Sequence, residues 1–335
     1  MHKDFVYPTH QNVSSESMNC HESLKSMRIR YWYESLRQRT SLTTAYKLEL
    51  FFEPDSFTRD VEGSIQYYSN KWIRYEQGRH LPQAALLRKV EQKAPGSTRD
   101  LNHPLWTVLN LDNKRVVRGD SFLRQLAPTV QGELYQSDVS GIHGNEVRVP
   151  VKQSLLRNLE DRACMDVIAC LVWLLRESAE RQSNDSVMIG RALHNVLTMM
   201  AFDLKQLKIG LPLLRFLIDH ILPLGLPQYH RMRMTPDDYV YASAYLNQFV
   251  FFTDKNYLKK LSWSSIVKLM QKFLKGKFGF DVLYAMKPYY ELDNSSGEIP
   301  PEIIKDNERD RRLHEWGWEC ILSGRQGRAI PADLL

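Results

Sequence analysis

The chain has 335 residues, enough for two domains and a substantial core. Its 43% hydrophobic and 25% charged content is that of an ordinary globular protein. The net charge of +6 and pI near 9.0 suit an anionic partner and favour nucleic acid or a phosphate-rich surface only mildly. Cys20, Cys164, Cys170 and Cys320 are widely spaced, without C-x-x-C or a neighbouring histidine pattern. That argues against a structural zinc or a disulfide framework and for a reducing compartment.

Residues 1–26 are rich in Ser, Asn, His and Glu, lack periodicity and an apolar segment, and read as a mobile leader with no secretory signal. From Met27 a helical stripe runs through Ile29, Trp32, Tyr33 and Leu36, and Leu42, Tyr46, Leu48 and Leu50 suggest a second helix ending at Phe52. Glu53-Pro54-Asp55 breaks it, and a loop containing Gly63 follows. Ile65–Tyr68 reads as a short strand or as the lead-in to a basic helix. That helix covers Asn70–Gln77, with Trp72 and Tyr75 three apart on one inward side. Gly78 suits a left-handed helix end, and Pro82 the first turn of a second helix whose inward stripe is Leu86, Leu87 and Val90.

Ala94-Pro95-Gly96-Ser97 closes this pair. Further short helices are expected from His103 to Leu109 and from Asp120 to Ala127, and residues 131–150 read as a linker or exposed hairpin. Leu156, Leu159, Ala163, Val167, Cys170, Leu171 and Leu174 recur at helical spacing, as expected of a helix central to a bundle. Val187–Leu207, Leu211–Leu222, a helix opened by Thr235-Pro236-Asp237-Asp238, Ser262–Lys275 and a last one from Pro300-Pro301 complete that half. The longest apolar run, Val167–Leu175, is far too short to span a bilayer, so no membrane is expected and the reading is cytoplasmic. The fold expected is mainly α: a leader (1–26), a helical domain (27–130), a linker or hairpin (131–150) and a C-terminal helical bundle (151–335).

Around Tyr75-Glu76-Gln77-Gly78-Arg79-His80-Leu81-Pro82, continued by Leu86, Leu87 and Val90, the sequence resembles the Cro and Xre-type repressor helix-turn-helix family. The resemblance covers about residues 69–91. It implies that Tyr75 closes a recognition helix, that Glu76 is its partner in the turn, and that Ser69, Asn70 and Lys71 face base edges. Arg74, Arg79 and Lys89 then fall where backbone phosphates are met. The family places a scanning helix directly ahead of the recognition helix; here a loop through Gly63 takes that place, and the helix around Tyr46–Phe52 can serve as scanner only across this long insertion.

Other constellations carry less. Asp237 and Asp238 are explained as first-turn carboxylates behind a Thr cap, although His230 is near in sequence. His194 and His220 read as packing or surface histidines, and no phosphate loop, G-x-S-x-G or H-E-x-x-H is present. The expectation is a non-enzymatic regulator without metal or cofactor that binds double-stranded DNA through residues 69–77. It is expected to pair as a homodimer, or to take a protein partner, through the C-terminal bundle. The alternative is a non-catalytic helical scaffold subunit of a bacterial assembly.

Overall fold

The computed structural model describes residues 20–67, 69–137, 146–253, 261–295 and 297–334. Most of the expected leader and the tip of the expected hairpin lie outside these. The chain is mainly α, with helical N-terminal and C-terminal parts.

Helix α1 (Cys20–Thr40) begins inside the expected leader, because Leu24 and Met27 have a core to enter. It stops where the Thr40 hydroxyl donates to Leu36 O and Ser41 turns to a φ of 57°. Thr44 caps α2 (Ala45–Phe52) by accepting the Lys47 amide at 3.2 Å. A 3-10 turn at Pro54–Ser56 leads into an antiparallel hairpin of β1 (Thr58–Arg59) and β2 (Ile65–Tyr67), its loop drawn together by Asp60, whose carboxylate accepts the Glu62 and Ser64 amides. Then come α3 (Lys71–Glu76), α4 (Ala84–Lys93) and α5 (Ser97–Leu101).

These five helices enclose a core of their own. Ile29, Trp32, Tyr33 and Leu36 of α1 meet Leu48 and Phe52 of α2, Trp72 and Tyr75 of α3, Leu86 and Val90 of α4, and Leu101 of α5. The small core ends at Leu101, ahead of the expected boundary near residue 130, and the buried apolar residues from Leu105 to Tyr135 pack into the larger one. The apolar faces of α6 (Pro104–Val108) and α7 (Pro128–Leu134) account for this. Asp120–Ala127 holds only a 3-10 turn at Leu123–Gln125, not a helix. Strands β3 (Tyr135–Ser137) and β4 (Glu146–Arg148) pair antiparallel, as the hairpin reading requires.

The large core is a helical bundle around α9 (Met165–Glu180) and α10 (Ser186–Gln206), and residues Val167–Leu175 of α9 are buried on every side. The single helix expected through Leu156 and Leu174 is two, α8 (Gln153–Glu160) and α9. A turn separates them at Ala163, whose φ is 20°, and Cys164 becomes the cap of α9 instead of an internal residue. Next are α11 (Gly210–His220), β5 (His230–Met232), α12 (Pro236–Thr253), α13 (Trp263–Leu274), α14 (Phe280–Ala285), β6 (Tyr290–Leu292, paired with β5) and α15 (Pro301–Leu322). Gly190 permits a close crossing, since a Cβ there would lie 2.9 Å from Gly225 O. Among the described residues, no helix is long and apolar enough to cross a membrane.

Candidate nucleic-acid interface

Helix α3 has under two turns, so packing must hold it. Trp72 is fully buried, stacked on Phe52 of α2 at 5.3 Å and on Trp32 of α1 at 5.8 Å, while Tyr75 meets both tryptophans edge-on. Burial and then the nearby Glu53 and Glu49 push the Tyr75 phenol up to about 12, so it stays neutral. The aromatic pair therefore faces inward together, as its spacing requires.

Gly78 ends the helix at a φ of 72°, its amide bonded to Tyr75 O and the Arg79 amide to Arg74 O. The turn lies on α1, where the Arg30 guanidinium donates to Gln77 O. Pro82 is buried but precedes α4, whose cap is the extended Gln83; its expected place in the first turn is corrected. Scanner-like α2 does pack against α3, with the β1–β2 hairpin looped out between them.

The six expected DNA-facing residues separate into three groups. Ser69 donates its hydroxyl to Glu49 Oε1 at 2.6 Å, and Glu49 is itself only 1% exposed. The Lys71 ammonium sits on Glu53 Oε1, while the other oxygen of that carboxylate takes Trp72 Nε1–H at 3.0 Å. Ser69 and Lys71, expected at base edges, are thus engaged by the carboxylates at the end of α2. Lys89 reaches Asp55 only at 3.9 Å across a well-solvated gap, a loose pair. Asn70, Arg74 and Arg79 are exposed, and their side chains make no hydrogen bond or ion pair among the described residues.

Ile73, Arg74 and Gln77 lie on the outward side of α3 opposite the aromatic pair, with Ile73 40% exposed, and the exposed Asn70 precedes them as the cap of the helix at a φ of 54°. Ile73 and Gln77 were missed from sequence, although helical spacing identifies them once Trp72 and Tyr75 define the inward side. Glu76, expected as a partner within the turn, instead bonds Lys208 at 3.1 Å, which also holds Glu34 of α1 at 2.9 Å. The carboxylates nearest the stripe are therefore paired or buried, and its formal charge is that of Arg74, with Arg79 just beyond.

The other candidate clusters do not assemble. The Asp238 carboxylate accepts the amide and hydroxyl of Thr235, closing the cap of α12, and His230 Nδ1 lies 2.8 Å from Gln228 O. Among the described residues, no three His, Cys, Asp or Glu side chains are grouped to hold a metal ion. No protein-family model, curated protein or solved structure matches the chain. The likeness to the Cro and Xre-type element accordingly rests on residues 69–91 alone.

Proposed function

We propose that the protein is a cytoplasmic DNA-binding regulator that lays the outer stripe of α3 against a duplex groove and acts as a dimer paired through its C-terminal bundle. The observation that carries this reading is the unpaired stripe Ile73–Arg74–Gln77 with Asn70 at its cap, held outward by the buried Trp72 and Tyr75. Its chemistry suits base edges: Asn and Gln pair with adenine, Arg with guanine, and an apolar side chain with the thymine methyl. Arg79, beyond the turn, is placed for a phosphate. Glu49 and Glu53 do not oppose it, because Ser69 and Lys71 already occupy them.

The test is an anisotropy titration of the full chain with duplex DNA over a range of salt. The logarithm of affinity should fall linearly with the logarithm of salt, and Arg74→Ala and Arg79→Ala should each reduce the slope by about 1. Lys71→Ala should leave the slope unchanged, since its ammonium is held by Glu53. Binding that is absent, insensitive to salt or indifferent to Arg74→Ala would refute the proposal and favour the helical scaffold reading.

A further inference from the structure

A second cationic surface lies far along the chain, on α13 and the turn after it. Residues 261–280 contain Lys268, Lys272, Lys275 and Lys277 and no aspartate or glutamate. Ser262 caps the helix by accepting the Ser265 amide, and its inward face is Val267, Met270, Phe273 and Leu274, all buried. That register leaves Lys268, Lys272 and Lys275 in a single exposed row. The helical rise separates them by about 6 Å and about 4.5 Å. None of the four ammonium groups has a hydrogen bond or ion pair among the described residues.

Two nearby acids are otherwise engaged. Glu160 is buried beneath the helix, bonded by Asn195 and Gln271, and burial pushes its carboxyl upward despite the influence of Lys275. Asp281 is fully buried and accepts the Gly327 and Arg328 amides. Beyond the lysines the turn exposes two aromatic side chains, Phe278 at 37% and Phe280 at 45%. Phe278 leans on Phe273 at 4.5 Å, and the Phe280 ring flanks Gly276 at the helix end.

From this we infer that α13 and the Phe278–Phe280 turn form a sequence-independent binding surface for an unpaired nucleic-acid strand, phosphates along the lysine row and bases against the phenylalanines. A row of unpaired cations ending in exposed aromatic rings is the combination that binds single strands. A lipid surface fits less well, because an interfacial helix inserts its apolar face and that of α13 is already spent on the core. The site is separate from α3 and does not depend on the function proposed for it.

The test uses the full chain with a fluorescent oligo-dT strand across a salt series. Lys268→Ala/Lys272→Ala/Lys275→Ala, all at exposed positions, should lower the salt slope by about 2, at about 0.7 for each phosphate no longer neutralised. Phe280→Ala should weaken binding at least about fivefold with the slope unchanged. Arg74→Ala should leave oligo-dT binding intact, so failure at either surface is read independently. The inference is overturned if the triple-lysine variant binds as the parent does, or if Arg74→Ala abolishes binding. It is equally overturned if the chain ignores oligo-dT yet sediments with phosphatidylserine vesicles in a lysine-dependent way.

Discussion

His194 shows how one side chain can tie a bundle to a narrow range of pH. It is buried on α10, with Nδ1 2.8 Å from the Tyr239 hydroxyl and Nε2 2.9 Å from Met286 O. A carbonyl can only accept, so Nε2 carries the proton and Nδ1 takes the hydroxyl of Tyr239. The ring is thus fully satisfied while neutral, and burial lowers its pKa to about 4. His314, stacked on Tyr289 at 4.8 Å, is lowered to about 4 by the same cause. A folded pKa below the unfolded value of about 6.5 means that neutral histidine stabilises fully above pH 6.5 and loses that contribution as pH falls towards 4. Stability against denaturant should therefore fall by about 1.4 kcal/mol per pH unit for each histidine across that window. His194→Gln should remove one such increment from the slope; an unchanged slope in the variant would contradict this account. The sequence placed His194 on an apolar helix, but the partners that make it a pH-sensitive clamp come from residues 45 and 92 positions away.

At the scale of elements, the turn after α3 is the constraint that most directly aims the candidate interface. A Cβ on Gly78 would lie 2.4 Å from Ser26 Oγ and 2.7 Å from Ser26 O, at a φ where a side chain is already strained. Gly78→Ala should then cost about 1–3 kcal/mol, read by urea denaturation, and should loosen the seat of α3 on α1. Stability equal to the parent would show that the turn relaxes freely. Gly78 was legible as a helix end, since glycine between an aromatic helix and a proline is a strong signal. The same holds for the start of α13 at Ser262 and for its inward face. The break between α8 and α9 was hidden, because buried apolar residues continue through Ala163 and hydropathy does not register a turn of the backbone. Nor could local pattern show Glu53 taking Lys71, an ion pair that exists only because the β1–β2 hairpin returns the chain to the end of α2.

Across the whole molecule, the small five-helix core and the large bundle meet through two kinds of interaction. Leu24 and Met27, on the first turns of α1, enter the large core, while Ile29 and Trp32 on the same helix enter the small one. Beside this apolar link lies a polar one centred on Asp166, at the start of α9. Its carboxylate accepts from Arg99 at 3.0 Å and from the Ala127 amide at 2.9 Å, and faces His103 Nε2 at 3.3 Å. Burial alone would raise its pKa, but His103, Ala127 and Arg99 together hold the carboxyl below its ordinary value. That contribution is present above the unfolded carboxylate pKa and is lost as pH falls below it. Lys208 adds a third link to Glu34 and Glu76, but it is 48% exposed and should matter little alone. Asp166→Ala should therefore cost about 2–4 kcal/mol, because it strands a buried histidine and an amide, whereas Lys208→Ala should cost under about 1 kcal/mol. The loss should also be uneven. Amide exchange should accelerate in α4 and α5, whose small core depends on the seam, and change least in α9 and α10, at the centre of the bundle. Equal acceleration in both regions would mean that the two cores unfold as one unit, and that the seam is not where their cooperativity lies.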